Sequence, residues 1–204
     1  MILFEELMQA ADFRSAADGL GGEFRKRFAL PPLHQLGLVV PDVEQASREL
    51  EAGGIGPFLI VGGSVDSWQE RGEGRSFTGK MGIAYHQGLE VELLEPGVGS
   101  DFYRQHIDSG GRAVVQHLGF LVQDVDVWAA IVSQAGHPVW VKGDMSAWPA
   151  RTRFTYMDTV EETGFVMEFI SWSLLGIRFS PVAGLFHLGG RIQKGIGVRS
   201  FYFR

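Results

Sequence analysis

Four side chains able to bind a metal ion occupy matching places in a sequence that repeats itself. The run Gln35-Leu36-Gly37-Leu38-Val39-Val40-Pro41-Asp42-Val43 aligns without a gap on His117-Leu118-Gly119-Phe120-Leu121-Val122-Gln123-Asp124-Val125. Gly88-Leu89-Glu90-Val91-Glu92-Leu93-Leu94 aligns in the same way on Gly164-Phe165-Val166-Met167-Glu168-Phe169-Ile170. Gln35 therefore matches His117, and Glu92 matches Glu168. The copies stand about eighty residues apart, beyond the roughly 20–50-residue period of a solenoid, so the repeat is a duplicated module.

Taken singly, each of the four has a plain structural reading. On a strand, residues two apart share a face. Glu168 shares one with Val166 and Ile170, opposite Phe165, Met167 and Phe169, so either orientation sets it among apolar neighbours. A buried carboxylate must neutralise or find a cation, and an arginine would serve as well as a metal. Glu92, beside Glu90 and Leu94, could be a solvated strand position. His117 shares its face with Val115, Gly119 and Leu121, where a histidine is commonly structural. Gln35 alone would attract no notice. The matched register is what joins them. His34 is the rival to Gln35, but counting back from Asp42 and Asp124 pairs Gln35 with His117 and His34 with Gln116.

The elements that must position these residues follow from pattern and punctuation. Residues 1–32 form a helical arm, with Leu3, Leu7, Ala10, Ala11 and Phe13 near helical spacing, a stop at Gly19-Gly21-Gly22, and a boundary at Pro31-Pro32. Residues 33–113 hold the first module with its linker, and residues 114–171 the second. Each reads strand, helix, then three strands, with Asp42 and Asp124 as N-caps of the helices. Residues 62–79, rich in glycine and charge, read as a long mobile loop, and 143–150 as a shorter one. Residues 172–204 form a C-terminal extension outside the repeat. The fold class is α+β: two βαβββ modules burying their bare sheet faces against each other as an open barrel-like cleft.

Composition narrows the function. A net charge of -6 argues against a nucleic-acid binder, which usually carries a clustered basic excess. The chain has no cysteine, which rules out disulfides and thiolate chemistry and fits a cytoplasmic protein. No run approaches the roughly 20 apolar residues that span a bilayer, and the acidic start at Glu5-Glu6 is unlike a signal peptide. Gly74-Arg75-Ser76-Phe77-Thr78-Gly79-Lys80 imitates a phosphate loop, but Met81 follows in place of Ser or Thr, and a strand in place of a helix.

The two strand starts, the Gly-x-x-x-Glu pattern ending at Glu92 and at Glu168, and the duplicated element order resemble the vicinal oxygen chelate superfamily over about residues 33–171. This is the group of glyoxalase I, methylmalonyl-CoA epimerase, extradiol dioxygenases and bleomycin-resistance proteins. The resemblance implies a divalent ion (Zn, Ni, Co, Mn or Fe) held by Gln35, Glu92, His117 and Glu168, the set of one glyoxalase I branch. It implies a lyase or isomerase that draws a proton from the carbon beside a polarised carbonyl through an enolate or enediolate. Glu168 is then the leading base and Glu92 the second acid/base. The partner is a small carbonyl-containing substrate, and a homodimer is the superfamily's habit.

Departures from the glyoxalase I pattern argue against glutathione. Val39 stands where that branch places an arginine, and the chain contains no asparagine. The strand Lys80-Met81-Gly82-Ile83-Ala84-Tyr85-His86 lacks the epimerase's extra glutamate, with Tyr85 and His86 as possible substitutes. A single histidine among the four disfavours a dioxygenase, which needs two. A non-catalytic binding protein of the resistance type and an acyl-CoA epimerase are the alternatives. Trp68, Lys80, Trp140, Trp148, Arg151, Arg153 and Tyr156 are candidate substrate handles.

Overall fold

A computed structural model describes residues 1–147 and 149–203; Trp148, one of the candidate handles, lies outside the described residues. The arm comprises β1 (Ile2–Leu3) and three short helices, α1 (Phe4–Met8), α2 (Phe13–Gly19) and α3 (Gly22–Arg27). The expected single helix is broken at residues 9–12, where the Asp12 carboxylate accepts from Ser15 N at 3.0 Å and starts α2. Helix α3 follows the expected glycine stop, where Gly21 takes a φ of 61°, a left-handed turn that glycine accepts at no steric cost. Phe4, Leu7, Phe13, Ala17 and Phe24 are the buried anchors that dock the arm.

The first copy runs β2 (Gln35–Val39), α4 (Val43–Ala52), β3 (Leu59–Ser64), β4 (Ser67–Glu70), β5 (Glu73–Arg75), β6 (Thr78–His86) and β7 (Leu89–Leu94). The second runs β8 (Val114–Leu121), α5 (Val125–Gln134), β9 (Val139–Ala147), β10 (Ala150–Met157), α6 (Val160–Thr163) and β11 (Val166–Leu174). The tail adds β12 (Ile177–Arg178), α7 (Ala183–Gly195) and β13 (Phe201–Phe203). The Asp42 carboxylate accepts from Gln45 N at 2.8 Å, and that of Asp124 from Asp126 N at 2.9 Å, so both helices begin on a side-chain cap. Among the described residues no helix is long and apolar enough to cross a membrane.

One sheet contains every strand, and its main path is β13-β3-β6-β7-β2-β8-β11-β10-β9-β4-β5. The copies meet edge to edge through β2 and β8, which are antiparallel. Near opposite ends of the path lie β3 and β4, yet only Val65 and Asp66 separate them in sequence. So short a connection spans at most about 11 Å. The sheet must therefore curl until its ends approach, and a cleft forms inside the curl. The fold is α+β, as the sequence predicts.

The span 62–79 is thus no mobile loop. It folds as a β4–β5 hairpin, and β4 pairs with β9 of the other copy, Trp68 opposite Gly143. Residues 143–150 likewise extend β9 and begin β10. The linker holds one 3-10 turn, at Arg104–His106. In the tail, the Gln193 side chain accepts from Ile60 N at 2.9 Å and donates to Ile60 O at 2.6 Å. That amide and the parallel strand β13 together cover the exposed edge of β3.

Apolar residues separate into two layers. Outside the curl, Leu36, Leu38, Val115, Leu118, Met167 and Phe169 pack beneath the helices. Inside it, Trp68, Phe77, Phe102, Tyr103, Phe154 and Tyr156 form an aromatic lining. Burying each such side chain contributes roughly 1.5–3 kcal/mol. Val115 corrects the expected strand phase. The register of β2 against β8 passes from Gly37–His117 to Leu38–Val115, so Gln116 is an extra, bulged residue. Val115 consequently joins the outer layer, and His117 faces the cleft.

Candidate metal centre

The register of the three central strand pairs brings the repeated residues to one place. Gly37 is the cross-strand neighbour of both Glu92 and His117. Gly119, its equivalent, is the neighbour of both Gln35 and Glu168. Each glycine leaves room for side chains from the strands around it. A Cβ on Gly37 would lie 1.7 Å from His117 Cε1, and one on Gly119 would lie 2.6 Å from Gln35 Oε1. The Leu-Gly that follows Gln35 and His117 is therefore as much a part of the site as the polar residues.

Glu92, His117 and Glu168 each offer a ligand atom within 4.8 Å of the others, and all three are buried. His117 Nε2 is 3.1 Å from Glu168 Oε2 and 3.5 Å from Glu92 Oε2, without hydrogen-bond alignment to either. Gln35 is 2 % exposed and lines the same cavity as Glu92 and Glu168. Gln35 Oε1, Glu92 Oε2, His117 Nε2 and Glu168 Oε2 are all buried without a hydrogen-bond partner. Such an unmet group costs about 1–3 kcal/mol, so four together mark a place built for something else. One imidazole nitrogen, one amide oxygen and two carboxylates suit a borderline divalent cation, and the carboxylates offset its charge.

The electrostatics agree. Burial pushes the Glu92 carboxyl up to about 7, the Glu168 charge adds to the rise, and His117 opposes it. Burial opposes charge on His117, yet the Glu168 and Glu92 carboxylates outweigh it and raise the imidazole to about 9. Without a cation the cluster thus retains protons. On its other side the ring is fixed: His117 Nδ1 donates to Gln116 Oε1 at 2.7 Å. Neighbouring residues on a regular strand point to opposite faces. The bulge is what lets Gln116 reach its neighbour, and the bond leaves Nε2 to face the carboxylates.

The remaining candidates scatter. His34 lies outside the cluster, its Nε2 3.6 Å from Glu90 Oε2. Trp68, Lys80 and Tyr156 line the cavity. Trp140 packs edge-on against Phe102 and beneath Arg71. Arg151 and Arg153 pair with Asp144 and Asp126 at the surface. Tyr85 donates to Glu90 at 2.6 Å, and the His86 ring stacks edge-on with Phe13 of the arm. Sequence reasoning missed Tyr103, whose hydroxyl is 3.0 Å from that of Tyr156, and Trp172 and Phe203 on the cavity wall. Tyr103 and Phe203 lie outside the repeat. Trp172 continues the Glu168, Ile170 alternation on β11 and could have been read from it.

Two copies of a strand-helix-strand-strand-strand unit, the first with the β4–β5 hairpin inserted, joined through their first strands around a buried carboxylate-histidine-carboxylate cluster, define the vicinal oxygen chelate class. A profile described as the glyoxalase/bleomycin resistance protein/dioxygenase superfamily matches residues 34–156, and the chain belongs to that superfamily. No curated protein matches the sequence. Among solved structures, a variant of Streptomyces coelicolor methylmalonyl-CoA epimerase in complex with 2-nitronate-propionyl-CoA is 19% identical. The match covers 69% of this chain and 96% of the epimerase, with a TM-score of 0.44. Methylmalonyl-CoA epimerase from Mycobacterium tuberculosis is 17% identical over 68% of this chain and 85% of its own, with a TM-score of 0.42. A mutant 4-hydroxymandelate synthase from Streptomyces coelicolor is 12% identical over 82% of this chain and 56% of the synthase, with a TM-score of 0.48.

Proposed function

We propose that the protein is a glyoxalase-like, metal-dependent lyase or isomerase that moves a proton beside a carbonyl group. The observation that carries this reading is the buried cluster of Glu92, His117 and Glu168, whose ligand atoms lie within 4.8 Å of one another, with Gln35 on the wall of the same cavity. These residues would hold a divalent ion, which supplies Lewis acidity toward a substrate carbonyl.

Glu168 takes the proton from the neighbouring carbon, and Glu92 is the second acid/base. Burial raises the Glu92 carboxyl, and a bound cation would lower it. Gln116 holds the His117 ring through Nδ1. Tyr103 and Tyr156, buried and beside the carboxylates, are held well above the ordinary tyrosine range and stay neutral hydrogen-bonding groups. The aromatic lining keeps water from the reacting carbon.

Metal analysis after purification and dialysis tests the reading. Near-stoichiometric divalent metal is expected in the wild type, with at least a tenfold loss of affinity in Glu168→Ala. Wild-type protein that takes up no divalent metal, or a Glu168→Ala variant that holds it as tightly, refutes the assignment and leaves a binding protein.

A further inference from the structure

Outside the cleft, the C-terminal extension differs from the rest of the chain in both charge and exposure. None of the 24 acidic residues lies beyond Glu168, while Arg178, Arg191, Lys194, Arg199 and Arg204 make the extension basic on a chain of net charge -6. Lys194 pairs with Glu51, and Arg199 Nη1 is 3.7 Å from Glu44 Oε2. Arg178 and Arg191 are exposed, and neither has an ion-pair partner among the described residues.

The same segment carries an apolar stripe open to solvent. Leu185, Leu188 and Ile192 recur at three- and four-residue spacing, so they share one face of α7, and Ile196 continues it at the C-cap. All four are at least 50 % exposed. The helix cannot roll to bury them, because its opposite face is fixed. Phe186, Gly190 and Gln193 are buried there, a Cβ on Gly190 would fall 2.5 Å from Phe58 O, and the Gln193 amide holds both backbone groups of Ile60. His187 Nε2 accepts from Tyr85 N at 3.1 Å. The β11–β12 hairpin, whose Trp172 ring lies 6.0 Å from that of Phe186, adds Leu175 and Ile177, 70 % and 75 % exposed. Single exposed apolar residues are ordinary, but a contiguous stripe marks a docking surface.

We infer that the C-terminal extension docks the protein on the surface of a bilayer containing anionic phospholipid, with the α7 stripe dipped among the headgroups. Such a surface accepts apolar and basic side chains together and needs no segment that crosses it. The acidic remainder of the chain is repelled from it, which turns the extension toward the lipid. A two-fold pairing of chains through this stripe would set two basic extensions against each other, so charge favours lipid over a second copy. The inference is independent of the metal centre.

Flotation of the full chain with lipid vesicles tests it. Vesicles of phosphatidylcholine mixed with phosphatidylglycerol are expected to carry at least tenfold more protein than vesicles of phosphatidylcholine alone. Leu188→Ser combined with Ile192→Ser should cut that binding at least fivefold. Val127→Ser with Ile131→Ser, an exposed apolar pair on α5, should leave it unchanged. Arg178→Gln with Arg191→Gln keeps the stripe intact and should lower binding to the mixed vesicles at least threefold; it decides the matter if the stripe variant loses its helical circular dichroism. No binding, equal binding to both kinds of vesicle, undiminished binding by the folded stripe variant or the arginine variant, or an equal loss in the α5 pair overturns the inference. So does a wild-type dimer in sedimentation velocity that the stripe variant lacks, since the face then joins two copies.

Discussion

The first and second copies of the module present their polar residues in the same register but build different walls. In the first, the β4–β5 hairpin interrupts the passage from β3 to β6; in the second, β9 turns directly into β10. The first copy brings Gln35 and Glu92 to the centre, and the second His117 and Glu168. Duplicated strands thus supply the charged cluster. Part of the cavity wall comes from segments without a counterpart: Trp68 on the hairpin, Tyr103 in the linker, Phe203 in the tail. The candidate metal cluster and part of the cavity wall are therefore carried by different parts of the chain.

Substituting the equivalent glycines probes the comparison most severely. Gly37→Ala drives a methyl group to 1.7 Å from the rigid His117 ring, whereas at Gly119 the overlaps are smaller, 2.6 Å to Gln35 Oε1, 2.8 Å to Gln35 Cβ and 3.0 Å to Ile170 Cδ1. Overpacking costs typically 1–3 kcal/mol. Gly37→Ala is expected at or above the top of that range with loss of metal binding, and Gly119→Ala within it, with metal binding weakened through Gln35 but not lost. Denaturant unfolding and metal analysis of the two variants decide it. Equal effects would mean that the copies are interchangeable at the centre.

Proton linkage gives the next effect. Glu92 is raised from 4.5 to about 7, so the folded metal-free protein binds the extra proton and loses stability as pH rises through that window. His117 is raised from 6.5 to about 9; its contribution is full below 6.5 and lost as pH climbs through 9. Both slopes have one sign, and the groups titrate together. Metal-free protein should melt at a lower temperature at pH 9 than at pH 6. A metal competes with those protons, so the stabilisation it adds should grow over the same range. Thermal melts with and without zinc at several pH values measure both trends.

The helix caps should show the smallest effect and the least asymmetry. Asp42→Ala and Asp124→Ala each remove a cap worth about 1 kcal/mol. Matching losses in urea denaturation are expected, because both carboxylates accept the same kind of backbone bond.

What could be read from the sequence followed this division. Gln35, Glu92, His117 and Glu168 were visible because duplication printed each place twice, and a coincidence in register outweighs the ambiguity of any one residue. The curled α+β sheet followed from the same repeat. The β4–β5 hairpin was hidden among glycines and charges because its partner strand, β9, lies far along the chain in the other copy. The bulge at Gln116 escaped because an extra residue in a strand shows itself only in the pairing with β2. Trp68 looked like a loop aromatic until Gly143 supplied the flat backbone opposite it.

The pairing of β4 with β9 has a further meaning for how such a molecule could arise. A polypeptide with only one copy would have no strand of its own against which to set the hairpin, and would have to borrow one from a second molecule. Fusion of the copies makes the lending strand a permanent neighbour, so the chamber assembles at any dilution, and each half is then free to drift in ways that identical partners could not.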